Sequence, residues 1–256
     1  VTGASDGIGQ SFARALARRG VHLILAARRQ DRLELLAADL TRSHSVQCQV
    51  LAIDLSSEEG WSALQVAAST RDVGLLVCAA GFGTSGPFLR GTLAEELNML
   101  QLNCAASAAL SWHFGQRLAA RGRGGLIMLS SIVAFQGVPG SAHYAATKAY
   151  VQTLAEGLHL EWKGHGVDVL ALAPGPVATG FAERAKLYMT NAASPDVVAE
   201  QGLRALGRVG TARPGLLAKL LGYSLAMTPR WGRIRIMRMV MRGMTRQHDA
   251  DHAGRK

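Results

Sequence analysis

Tyr144 and Lys148, in the run Tyr144-Ala145-Ala146-Thr147-Lys148, are four residues apart. On a helix that spacing stacks a phenol and an ammonium on one face. The chemistry such a pair could do is acid–base. A phenol with a pKa near 10 is a poor proton shuttle at neutral pH. An ammonium about 5 Å away, at an effective dielectric of about 20, favours phenolate by roughly 3 kcal/mol, or about two pKa units. Ser131 lies thirteen residues before Tyr144, at the end of the strand-like run Gly125–Ser130. From there it can hydrogen-bond the same substrate oxygen, and Ser130 beside it offers a second hydroxyl. With four tyrosines and five lysines in the chain, one such pair is weak evidence by itself.

A second signal stands at the start of the chain. Residues 2–9 read Thr2-Gly3-Ala4-Ser5-Asp6-Gly7-Ile8-Gly9, and a helical pattern follows. Between a strand end and a helix start, such glycines allow a tight turn and close backbone approach to a pyrophosphate. The helix N-terminus then supplies free N–H groups and the positive end of its dipole. The spacing Gly-x-x-x-Gly-x-Gly is not the Gly-x-Gly-x-x-Gly of most dinucleotide folds, so a plain turn is the alternative. The next apolar run discriminates further. An NAD site places an acid about 20 residues on, against the ribose 2′-hydroxyl. Here Leu23-Ile24-Leu25 leads into Ala26-Ala27-Arg28-Arg29, with no carboxylate. A guanidinium offers a 2′-phosphate a bidentate partner. The pattern favours NADP(H) over NAD(H), with Arg28 ahead of Arg29; otherwise the two arginines merely decorate a helix start.

These residues need a scaffold, and the periodicities supply one. Val21–Ala27, Val46–Ile53, Val73–Ala79, Gly125–Ser130 and Val167–Ala173 read as strands with little polar alternation, as in strands covered on both faces. Ile8–Arg19, Asp31–Leu40, Glu58–Ala68, Leu93–Arg121 and His143–Lys163 read as helices. Such alternation predicts an α/β fold, a doubly wound parallel sheet of Rossmann type with right-handed crossovers. Val1 runs directly into the glycine turn, so most of a first strand is expected to be missing and the N-terminus trimmed. Residues 1–227 are read as one catalytic domain and 228–256 as a basic amphipathic tail.

The chain has 256 residues, 48% hydrophobic and 18% charged. That excludes a disordered tail protein, a collagen or a small disulfide scaffold, and suffices for a sizeable core. Cys48, Cys78 and Cys104 fit no zinc spacing and fall in apolar runs. They read as reduced thiols without a metal, in a cytoplasmic protein. The uncharged stretches 97–116 and 126–147 are broken by polar residues and by Gly137, Pro139 and Gly140. Neither makes the roughly 20-residue apolar span a bilayer requires, and no signal-peptide pattern opens the chain. The net charge is +10, of which the segment from Thr228 carries +6. Arg230, Arg233, Arg235, Arg238 and Arg242 interleave there with Trp231, Ile234, Ile236, Met237, Met239, Val240 and Met241. Such a segment packs on the core or another subunit, lies peripherally on an anionic membrane, or grips an acidic partner such as an acyl carrier. Nucleic acid is disfavoured, because Trp231 is the tail's only aromatic stacking platform.

In combination, the motifs resemble those of the short-chain dehydrogenase/reductase family, in its NADP-preferring branch, from Val1 to about Thr179. The family's Thr-Gly-x-x-x-Gly-x-Gly turn matches Thr2, Gly3, Gly7 and Gly9, with Ser5 and Ile8 inside it. Its aspartate after the third strand matches Asp54, followed by Leu55. Its helix asparagine matches Asn103, its serine Ser131, and its Tyr-x-x-x-Lys matches Tyr144 and Lys148. Its Pro-Gly segment matches Pro174-Gly175-Pro176-Val177-Ala178-Thr179. One motif departs: the family's Asn-Asn-Ala-Gly is here Cys78-Ala79-Ala80-Gly81. The missing asparagines are expected to weaken the hydrogen bonds that steady that strand, while Ala80-Gly81 keeps close approach to the cofactor.

The resemblance implies roles. Tyr144 is the general acid in reduction and the base in oxidation. Lys148 lowers its pKa and holds the nicotinamide ribose hydroxyls. Ser131 polarises the carbonyl, as an oxyanion donor would. Asn103 holds a water that links Lys148 to solvent, Asp54 contacts the adenine, and Val177 and Thr179 grip the carboxamide. Asp54 also has an ordinary reading, as a cap for the following helix. Ile132, Val133, Phe135, Val138, Phe82, Phe181, Leu187, Tyr188 and Met189 are expected around the substrate, a lining that suits a hydrophobic ketone or alcohol. Helices Leu93–Arg121 and His143–Lys163 suit subunit packing in a homodimer or homotetramer. A non-catalytic nucleotide sensor on the same fold is the competing reading; such a protein has no physical need for a tuned phenol.

Overall fold

The apolar runs become strands and the periodic stretches between them become helices, in a computed structural model that describes residues 1–188 and 192–253. After the glycine turn come α1 (Gly7–Ala17), β1 (Leu23–Ala27), α2 (Gln30–His44), β2 (Cys48–Ala52) and α3 (Glu58–Ala68). Then follow β3 (Leu75–Cys78), α4 (Leu93–Leu100), α5 (Ala106–Arg121), β4 (Gly124–Leu129), α6 (Ala142–Glu161) and β5 (Val167–Leu172). The last part adds α7 (Phe181–Arg184), α8 (Pro195–Ala205), β6 (Thr211–Ala212), α9 (Leu216–Ala226) and α10 (Arg230–Ala253).

All strand pairings are parallel. β1 pairs with β2, and β3 through β6 form a ladder in chain order. Val1 and Thr2 join the two ladders. The Thr2 amide donates to the Val77 carbonyl at 2.9 Å, while the Ala26 amide donates to the Val1 carbonyl at 3.0 Å. The layer therefore runs β2, β1, residues 1–2, β3, β4, β5, β6. Parallel strands require crossovers, and the helices fill both faces. On one face Phe12, Leu16, Leu33, Leu36, Leu40 and Val198 pack against Leu25, Val77 and Leu170. On the other Leu64, Leu110, Phe114, Val151 and Ala155 pack against Leu76, Leu126 and Val169. This is a single Rossmann-like α/β domain. Among the described residues no helix is long and apolar enough to cross a membrane.

One feature corrects the sequence reading, and the tail follows one of the courses expected of it, packing on the core. The helix expected over Leu93–Arg121 is interrupted by a π-helical turn at Gln101–Ala105. Its extra residue per turn resets the helix face just where Asn103 and Cys104 are buried. The tail is one helix with two faces. Met237 and Met241, a turn apart, sink into a third cluster with Val138, Ala145, Ala185, Leu187 and Leu225. Val138 and Leu187, expected around the substrate, pack with α10 in this cluster. Met189 lies outside the described residues.

Candidate active site

The carboxyl ends of the strands carry the chemistry. Asp6 ends the glycine turn by capping α1: its Oδ1 accepts from the Gly7 amide at 2.7 Å. Gly7 adopts φ +52°, and a Cβ there would lie 2.8 Å from Thr179 Cγ2. The turn and the Pro174–Thr179 segment therefore close on each other, with the α1 N-terminus between them. That is an arrangement for an anion. Arg29 reaches back to the turn, donating to Ser5 Oγ at 3.2 Å and to Asp6 Oδ2 at 3.2 Å, with Arg32 3.7 Å from the same carboxylate. Arg28 has no such carboxylate partner among the described residues. Asp54 accepts from the Ser56 amide and hydroxyl, whereas Ser57 caps α3. Burial opposes the ionised Asp54, yet those hydrogen bonds and the fields of Arg28 and Arg184 hold its carboxyl below the usual range. Leu55 beneath it belongs to the core.

Thr2 ties the glycine turn to the end of β3. Its Oγ1 accepts from the Ala79 and Ala80 amides at 3.0 and 3.1 Å and sits 3.3 Å from the Val77 carbonyl, to which it donates. The β3 end is therefore steadied from the first strand position. Burial pushes the Cys78 thiol up to about 12, so it remains a neutral core group. A Cβ at Gly81 would lie 2.9 Å from Asn103 Oδ1 and 3.3 Å from Lys148 Nζ; only a bare backbone fits between them.

Ser131, Tyr144, Lys148 and Asn103 come together at this point. Ser131 is close enough to the Tyr144 phenol to pull its pKa down, and its Oγ accepts from the Val133 amide at 3.3 Å, while the Ser130 hydroxyl is spent on the Lys148 carbonyl at 3.2 Å. Lys148 is buried, its Nζ 5.8 Å from the Tyr144 ring centre and donating to the Leu129 carbonyl at 2.8 Å. Asn103 uses its carboxamide on protein: Nδ2 donates to the Phe82 carbonyl and Thr147 Oγ1, and Oδ1 accepts from the Phe82 amide. The side chain thus fixes the loop after β3. His143 Nε2 lies 3.1 Å from the Glu96 carbonyl, a structural contact.

The electrostatics differ from the simple pair argument. Burial pushes the Tyr144 phenol well above its ordinary range, with only the Ser131 hydrogen bond pulling it down. Burial also lowers the Lys148 ammonium to about 8. Desolvation disfavours the charged form of each group and outweighs the acidification expected from the lysine. Tyr144 consequently holds its proton at neutral pH.

Two residues of α7, absent from the motif set, cover the cleft. The Phe181 ring centre lies 5.3 Å from that of Tyr144. The Arg184 guanidinium lies 3.8 Å over the Phe82 ring, within the field of Arg28, Glu95 and Asp54. The sequence signal for Phe181 was its place just after Thr179; Arg184 had none.

Residues 1–188 match the family model for short chain dehydrogenase. The very-long-chain 3-oxoacyl-CoA reductase of Homo sapiens is 27% identical over 252 residues, covering 97% of this chain and 80% of its own. The 7beta-hydroxysteroid dehydrogenase of Clostridium sardiniense is 32% identical over 179 residues, covering 70% and 69%. A solved short-chain dehydrogenase from Sphingobium yanoikuyae in complex with NADPH superposes with a TM-score of 0.80 at 30% identity, covering 88% of this chain and 91% of that one. With its Ser131, Tyr144 and Lys148 gathered at the carboxyl edge of a parallel sheet, the chain belongs to the short-chain dehydrogenase/reductase family, oxidoreductases that act on hydroxyl and keto groups.

Proposed function

We propose that the chain is an NADP(H)-dependent reductase of a bulky hydrophobic ketone, interconverting it with its alcohol. The observation that carries this is the Tyr144 phenol, flanked by the Ser131 hydroxyl and the buried Lys148 ammonium and walled by the Phe181 ring. The bound dinucleotide supplies the hydride. Gly3, Gly7, Ile8 and Gly9 of the turn would hold its pyrophosphate, with Asp54 at the adenine end and Pro174–Thr179 at the other. Ala80 and Gly81 leave room between the β3 end and Lys148.

Ser131 donates a hydrogen bond to the carbonyl oxygen and stabilises the negative charge that grows there. Tyr144 gives that oxygen its proton. A phenol that burial keeps protonated suits the reducing direction. Lys148, held to the Leu129 carbonyl, keeps a positive charge below the site that stabilises the phenolate left behind, until solvent returns the proton. Arg28, without a carboxylate partner among the described residues while Arg29 is tied to Asp6, is the guanidinium available to a 2′-phosphate. Relatives named for 3-oxoacyl-CoA and for a hydroxysteroid support a large apolar substrate, as does the Phe181 ring beside Tyr144. Exposed Leu93, Leu97 and Trp112 along α4 and α5 support self-association as a homodimer or homotetramer.

The test is NADPH oxidation across a carbonyl library of long-chain 3-oxoacyl thioesters, steroid ketones and small polar sugars. Turnover confined to the bulky apolar ketones supports the reading; turnover of the sugars alone overturns it.

A further inference from the structure

The outer face of α10 is used by neither the core nor the reaction. Its inner face is covered: Met237 and Met241 are buried and Met244 packs against the same cluster. The other side leaves Trp231, Ile236, Met239 and Val240 exposed, Met239 by 71%. Arg235, Arg238 and Arg242 are exposed along that side. With Trp231 they occupy i, i+4, i+7 and i+11, one stripe of the helix. The Arg235 guanidinium rests 4.9 Å from the Trp231 ring centre. Just before α10, Leu216 and Leu220 of α9 and Met227 are also exposed. Among the described residues no carboxylate pairs with these arginines, and the sequence holds no acid between Gln201 and His248.

A helix that must only pack on a core needs one apolar stripe and a polar back. This one is apolar on both sides, with unopposed positive charge along the exposed one. We propose that the outer face of α9 and α10 docks on an anionic lipid bilayer, its apolar side chains entering the acyl boundary and its arginines meeting lipid phosphates. Charge decides among the occupants. A second copy on this face would set the same arginine row against itself, and like charges across an interface are costly. An acidic protein would satisfy the arginines but leave Met239, Val240 and Leu220 in water. A bilayer of anionic lipid satisfies both sets at once. The inner face of α10 packs with Ala145, next to Tyr144, and Leu187, so the helix itself stands between the docking face and the reaction site. The docking itself does not depend on which ketone is reduced.

The experiment spins the full chain with vesicles of phosphatidylcholine alone and of phosphatidylcholine mixed with phosphatidylglycerol. The protein is expected to pellet with the anionic vesicles and to be released by salt. Replacing Arg235, Arg238 and Arg242 together by Gln should weaken partitioning about a hundredfold, at about fivefold per charge. Met239→Ser with Val240→Ser should also weaken it while leaving the arginines in place. All five side chains face outward, and circular dichroism of each variant checks the fold. Equal pelleting with neutral vesicles overturns the proposal, as does no pelleting of the unaltered chain. So does insensitivity to the Met239→Ser, Val240→Ser change, which would indicate charge alone. Retention on an immobilised acyl carrier protein without vesicle binding, or an oligomeric state by light scattering that the variants alter without any vesicle effect, overturns it too.

Discussion

The guanidinium of Arg184 lies 3.8 Å over the ring of Phe82, although the two are separated by about a hundred residues of chain. Phe82 is only 2% exposed, and its backbone is gripped on both sides by Asn103. The contact joins the short helix after Thr179 to the loop after β3. Arg28 and Arg184 are like charges within each other's field there, an arrangement that an anion between them would stabilise.

Arg184→Ala is therefore expected to weaken the binding of NADPH and NADH alike, by about tenfold to a hundredfold, the range of one charge-assisted hydrogen bond. Titration of nicotinamide fluorescence measures it without turnover. Unchanged affinity for both would show that the contact serves only the apo cleft.

Arg28→Ala should act differently. Loss of a 2′-phosphate partner is expected to weaken NADPH by about tenfold or more and to leave NADH unaffected. The same titration decides it. Equal effects on the two dinucleotides would remove Arg28 from the 2′-phosphate.

Tyr144→Phe keeps the ring against Phe181 and removes the proton. Turnover should fall by about a hundredfold to ten-thousandfold, with NADPH affinity retained. Ketone reduction by the variant at the unaltered rate would end the acid role.

Thr2→Val removes a hydroxyl that accepts from two amides and keeps the shape. The Ala79 and Ala80 amides lose their partner, at a cost of about 1–3 kcal/mol, while Thr2→Ser should stay close to the original. Urea midpoints compare the three chains; a Val variant as stable as the unaltered protein would contradict the bridging role.

Lys148 ties stability to pH. Its folded pKa, about 8, lies below the ordinary 10.5. Between these values the unfolded chain binds one more proton, so this group's contribution to stability rises with pH across that window and is constant below it. Relative to Lys148→Met, the unaltered chain should gain at most about 1.4 kcal/mol per pH unit from about pH 8 upward. Denaturation curves at several pH values check the slope, and a difference that does not change with pH would mean the ammonium is not desolvated.

Much of the fold was readable because its signals are local. Apolar runs of strand length, such as Leu75–Cys78, alternate with helices whose caps are single residues, such as Ser57 before Glu58–Ala68. The edges shifted by a few residues, since fraying and packing set them. The π-helical turn at Gln101–Ala105 was not readable: it depends on what Asn103 meets across the cleft, at Phe82 and Thr147.

The sequence by itself determined the glycine turn, the four-residue spacing of Tyr144 and Lys148 and the parallel α/β alternation, because each follows from neighbouring residues and a helix or strand period. Only the tertiary structure decided that Thr2 would bridge Ala79 and Ala80, that Arg184 would cover Phe82, and that α10 would turn Met237 and Met241 inward. It also reversed the direction of the Tyr144 shift. Those outcomes depend on contacts between distant segments and on the water that folding excludes, and neither is written in any short stretch of chain.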